Sequence, residues 1–152
     1  MTNPDGSPRY PIFLPDGHRF LYTKIAAKDS GIFLASLESS EAHRVMPDQS
    51  NAQYLPTGPD GIGQLLFVRE QTVMAQPVNP RTLAPSGDLF PVAERVPNGP
   101  QTNEYLYTIS GNGMLLYGIT ELAPRKARGN SRGSIAPASS LERWETRRRV
   151  WR

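Results

Sequence analysis

Short apolar runs separated by turn-forming residues fill the first 120 positions of the chain. Phe20-Leu21-Tyr22-Thr23 follows Pro15-Asp16-Gly17, and each member of that triplet suits a turn: proline presets φ, aspartate bonds its own backbone, and glycine accepts positive φ. A hairpin is predicted there. Further strands are predicted at 31–37 and 42–46, with polar or small residues between them, so three or four strands make one small sheet.

The same order then recurs. A second unit opens at Asn51-Ala52-Gln53-Tyr54-Leu55, turns at Gly58-Pro59-Asp60-Gly61, and predicts strands at 64–69, 72–77 and 89–93. A third predicts a strand at 104–109, a turn through Ser110-Gly111-Asn112-Gly113, and a strand at 114–118, after which the pattern is lost. Gly17, Gly61 and Gly113 lie 44 and 52 residues apart, close to the roughly 40 to 50 residues of a four-stranded propeller blade. A β-meander or sandwich uses the same turns, but strand, turn and aromatic-bearing strand repeat here in one order, which favours blades. The expected fold is all-β: a partial β-propeller of antiparallel four-stranded blades over 8–120, with blades at about 8–48, 49–97 and an incomplete 98–120. Its structural turns are Pro15, Asp16, Gly17, Pro59, Asp60, Gly61, Asn112 and Gly113.

These residues resemble a family. Tyr10-Pro11-Ile12-Phe13-Leu14-Pro15-Asp16-Gly17-His18-Arg19-Phe20-Leu21-Tyr22, Gly31-Ile32-Phe33-Leu34-Ala35-Ser36-Leu37 and Leu65-Leu66-Phe67-Val68-Arg69-Glu70 through Met74-Ala75-Gln76-Pro77 are similar to blades of TolB-like, WD-repeat-like bacterial β-propellers. More narrowly they resemble the C-terminal sensor propellers of acidobacterial serine/threonine protein kinases. The resemblance covers residues 8–118 and implies a non-catalytic module that binds a protein or small ligand. It also leaves open a detached sensor region of such a kinase or of a propeller-bearing peptidase. Propellers close with four to eight blades, so two blades and part of a third leave sheet edges and apolar faces uncovered. Either the chain is a fragment of a propeller or it assembles, and marginal stability or self-association through the open sheet edges is expected on that ground.

Composition changes the picture mainly at the C-terminus. With 38% hydrophobic and 20% charged residues the chain has the material for one core. Its net charge of +3 hides a division, since residues 1–120 carry 8 basic and 11 acidic side chains while 121–152 carry 9 and 3. The tail, with Arg147-Arg148-Arg149 and Arg152 beside Trp144 and Trp151, loses strand periodicity and is expected to be irregular or to form a short helix over 140–152. Such a composition also arises when a GC-rich gene is read out of frame. Arginines beside tryptophans suit phosphates and bases, yet a solvated charge run is the commoner meaning, and nucleic acid is not expected as a partner.

The chain offers little catalytic chemistry. Without cysteine there is no disulfide, thiolate metal site or cysteine nucleophile. His18 follows a turn and His43 alternates toward solvent on a strand, and neither sits in a metal-ligand spacing. No nucleophile elbow and no kinase phosphate loop is present. Asp29, Glu38, Glu41, Asp48 and Glu70 are scattered, and Arg69-Glu70 is expected as an exposed cross-strand pair. No catalytic, cofactor or metal residue is therefore assigned. Phe13, Phe20, Tyr22, Phe33, Tyr54, Phe67, Tyr105, Tyr107 and Tyr117 are expected as core between blades rather than as a ligand platform. No apolar run reaches the roughly 20 residues of a spanning helix, and MTNPDGSPRY lacks the form of a secretory signal, so localisation stays open.

Overall fold

The computed structural model describes residues 6–57, 62–99, 102–119 and 143–148. Among them are eleven strands and no helix. Strands β1 (Ser7–Phe13), β2 (Arg19–Ile25), β3 (Gly31–Ser36) and β4 (Ser39–Met46) form a first sheet in chain order, and β5 (Gln53–Thr57), β6 (Ile62–Arg69), β7 (Thr72–Val78) and β8 (Phe90–Ala93) form a second. A third sheet holds β9 (Tyr107–Ile109), β10 (Met114–Ile119) and β11 (Arg143–Arg148), with β10 in the middle. All neighbours pair antiparallel, and no sheet closes on itself.

The first hairpin turn works as its residues dictate. Gly17 N–H donates to Leu14 O at 3.0 Å, Gly17 takes a φ of 71°, and the Asp16 carboxylate accepts from the backbone N–H groups of His18 and Arg19. Ser110 to Gly113 closes the β9–β10 hairpin in the same manner, with Gly113 at φ 81° donating to Ser110 O. Pro59, Asp60 and Gly61 lie outside the described residues.

Burial explains why the apolar runs differ between sheets. The run Leu65-Leu66-Phe67-Val68 is apolar at every position because β6 is buried on both faces, as expected of a strand in the middle of a layered core. Leu65 and Phe67 join Leu14, Leu21, Ile32 and Leu34 in the core between the first and second sheets. Leu66 and Val68 join Val73, Ala75, Tyr107, Leu115 and Tyr117 in the core between the second and third. The second sheet is thus the middle layer of a three-sheet stack.

A polar knot ties the layers together at residues 50 and 51. Thr23 of the first sheet donates its hydroxyl to Ser50 O at 2.6 Å, and the Ser50 hydroxyl accepts from Val68 N–H of the second sheet at 2.8 Å. Asn51 accepts from Tyr105 N–H at 2.8 Å and donates to Tyr105 O at 3.0 Å. The buried Tyr107 phenol lies 2.6 Å from Asn51 O and 3.1 Å from Leu66 O. Burial alone pushes its pKa far up, so it stays a donor at any ordinary pH. Satisfying these groups internally matters because an unpaired buried polar group costs about 1–3 kcal/mol.

Three expectations need correction. Residues 143–148, expected to be irregular or helical, form a strand that pairs with β10 from Ile119↔Arg143 to Met114↔Arg148. The open edge of β10 offers a row of backbone donors and acceptors, and pairing with it needs no apolar alternation in the incoming strand. Arg69 does not pair with Glu70 but makes two 2.9 Å hydrogen bonds to the carboxylate of Asp48. Glu70 and Gln71 instead form the two-residue β6–β7 turn, with φ of 49° and 63°. The 104–109 strand is shorter than expected, beginning at Tyr107 and preceded by an isolated Asn98↔Tyr105 bridge.

Candidate functional site

The most distinctive surface among the described residues is the outer face of the first sheet. Side chains alternate across a strand, so while Leu21 and Thr23 of β2 enter the core, Phe20 and Tyr22 point the other way. Their neighbours in register, Phe13 on β1 and Phe33 on β3, extend this into a row of four rings. Ring centroids are 6.0 Å apart for Phe13 and Phe20, 6.1 Å for Phe20 and Tyr22, and 5.7 Å for Tyr22 and Phe33. These are the separations at which aromatic pairs attract.

A groove of about 490 Å³ crosses this face from strand to strand. Pro8, Arg9 and Pro11 of β1 flank it on one side, Phe20, Tyr22 and Ala35 of the central strands line its middle, and residues 39–42 of β4 flank the other. Outside the groove, at the Phe33 end of the ring row, the Lys24 ammonium stands 5.6 Å from the Phe33 ring centroid, while Asp29 pairs with both Lys24 (3.8 Å) and Arg44 (3.4 Å). Desolvation first, and the Asp29 charge second, push the Tyr22 phenol above its ordinary pKa, so it is a neutral hydroxyl at physiological pH. Phe13 is 58% exposed, unusually high for a large apolar side chain beside other rings.

A second charged cluster sits at the Pro15-Asp16-Gly17 turn. The Arg19 guanidinium donates to Asp16 at 2.6 Å, to Pro80 O at 3.0 Å and to Arg81 O, linking the first sheet to the loop after β7. Hydrogen bonds from Arg19 N–H and then His18 N–H hold the Asp16 carboxyl down to about 2. Its donors are already taken up, so the cluster is a structural clamp rather than an open site.

The chain matches no family model, no curated protein and no solved structure. Chemistry must therefore be read from the geometry alone. No group of three or more histidine, aspartate or glutamate side chains able to hold a metal occurs among the described residues. His18 is exposed beside Glu38 at 3.6 Å, and His43 is exposed on β4. Among the described residues no helix is long and apolar enough to cross a membrane. What the aromatic face can do is receive apolar or aromatic surface through ring contacts and desolvation.

The aromatic residues expected as core divide into two groups. Phe67, Tyr107 and Tyr117 are buried between sheets, and Tyr54 and Tyr105 pack against those cores. Phe13, Phe20 and Tyr22 stand exposed or half-buried on the outer face, where no described sheet covers them, while Phe33 on the same face is buried beside Tyr22 and Lys24. The alternation Phe20-Leu21-Tyr22-Thr23 carried that signal, since a strand with rings on one face and Leu and Thr on the other has two different faces.

Proposed function

We propose that this chain is a non-catalytic binding module of TolB-like, WD-repeat-like β-propeller architecture, and that its contact surface is the aromatic outer face of the first sheet. One observation carries the reading. Phe20-Leu21-Tyr22, Leu65-Leu66-Phe67 and Leu115-Leu116-Tyr117 occupy the same position on the second strand of each unit. The outer two residues of each triplet face the preceding sheet: Leu65 and Phe67 pack on the first sheet, and Leu115 and Tyr117 on the second. Phe20 and Tyr22 hold the equivalent place, and no sheet among the described residues packs on them.

A sheet face with the form of one that packs on another sheet suits the docking of protein. Aromatic rings supply much of the binding energy at such surfaces.

The test compares the chain with Phe20→Glu on an immobilised peptide array, with thermal melts of both proteins and assays against general peptidase and kinase substrates. Binding to apolar and aromatic peptides is expected, lost in the variant without loss of folding, and with no turnover. Turnover of any substrate, or binding unchanged by the substitution, would overturn the reading.

A further inference from the structure

We propose that the edge of β10 held by residues 143–148 is a strand-addition site for an extended, uncharged peptide of another protein, and that β11 is a displaceable strand that closes it. The site lies on the third sheet and does not involve the aromatic face. Its basis is a comparison of the three sheets. Each has an inner strand, β2, β6 or β10, paired on one side with the strand before it in the chain and on the other with the strand after it, β3, β7 or β11.

In the first two sheets the following strand helps to build the core. Ile32 and Leu34 of β3, opposite Thr23 and Leu21, are buried with them. Val73 and Ala75 of β7, opposite Val68 and Leu66, are buried in the core toward the third sheet. On the other face of β7, Met74 and Gln76 stand opposite Phe67 and Leu65, where Gln76 is buried and Met74 packs against the first core. None of these β3 and β7 residues is charged.

The third sheet departs from that pattern. Leu115 and Tyr117 of β10 are buried in the core against the second sheet, and Ile119 packs on it, yet the register sets Arg147, Glu145 and Arg143 opposite them. Those are the places that Gln76, Met74 and Thr72 hold beside Leu65, Phe67 and Arg69. A charge is costly to bury without a partner, so residues of these types suit pairing through the backbone and not completion of the core.

A strand held by its ladder alone is exchangeable. A peptide added to a sheet edge draws affinity from main-chain hydrogen bonds and specificity from its alternate side chains. The peptide that fits β10 better than β11 carries uncharged residues opposite Leu115 and Tyr117. The chain's own β7 meets that description, so a synthetic peptide of its sequence, TVMAQPV, serves as the probe.

The test measures binding of this peptide, fluorescently labelled, to the full chain and to two full-length variants by anisotropy, with thermal melts of each protein. Glu145→Pro puts at the register of Tyr117 a residue that cannot donate to a ladder, and should loosen β11. Glu145→Val with Arg147→Val sets apolar residues opposite Tyr117 and Leu115, and should tighten it. The peptide is expected to bind Glu145→Pro roughly tenfold tighter than wild type, because the closed fraction of the site no longer counts against it. Binding to the double variant is expected to be weaker than to wild type. The same peptide with Met74→Glu and Gln76→Arg should bind none of the three. If Glu145→Pro does not fold, the comparison of wild type with the double variant decides. No binding to any of the three, equal affinity for all of them, or equal affinity of the charged peptide would overturn the proposal. Binding lost in Phe20→Glu but indifferent to residues 145 and 147 would place the peptide on the aromatic face and defeat it as well.

Discussion

Asp16 shows how one residue's chemistry is set by the backbone around it. Its carboxylate accepts two turn N–H groups and the Arg19 guanidinium, and the charged form is favoured until about pH 2. The folded pKa is below the ordinary value, so the native state binds fewer protons than the unfolded chain in the interval between them. Stability from this group is therefore full above about pH 4 and is lost as pH falls toward 2. Asp16→Asn, which keeps an acceptor but no charge, should melt below wild type at pH 6, with the gap closing as pH falls through that window. A gap independent of pH would mean that turn shape, not charge, accounts for the effect. This role was legible, because Pro-Asp-Gly specifies a turn whatever surrounds it. Asp48 was not, since its partner Arg69 is 21 positions away and only the fold brings them together.

At the scale of elements, the β6–β7 hairpin departs from the residues its geometry prefers. A two-residue loop with both central φ positive is the type I′ signature and favours Asn-Gly, yet Glu70-Gln71 stands here. Gln71 O accepts Val96 N–H at 2.9 Å, one tertiary contact that holds the turn. Replacing the pair by Asn-Gly removes unfavourable left-handed conformations at two ordinary residues, and should raise stability by about 1 kcal/mol. A urea titration reads this as a higher midpoint at unchanged slope. Strands β2, β3, β6, β7 and β10 were legible from their apolar runs and flanking turns. The strand at Arg143–Arg148 was not, because its place comes from the free edge of β10 rather than from any pattern of its own.

On the scale of the whole molecule, Phe67 is, with Leu65, one of the β6 residues through which the first core reaches the middle sheet. It is fully buried, with Leu66 and Val68 beside it in the opposite core. Phe67→Ala should cost about 3–5 kcal/mol, a large part of the roughly 5–15 kcal/mol that holds a domain together. One cooperative transition at lower temperature is expected, since β6 belongs to both cores. Two separate transitions would show that the layers unfold independently. The chain's own pattern determined that it folds into β-sheets, where most strands begin and end, and that the units repeat, because turn chemistry and apolar alternation act over a few residues. Which face of each strand is covered depends on what stacks against it, and that is settled between residues far apart in the chain. The tertiary structure alone decided that Leu65 is buried while Phe20, its equivalent, stands half-exposed, and that residues 50 and 51 join three sheets through hydrogen bonds spanning up to 56 positions.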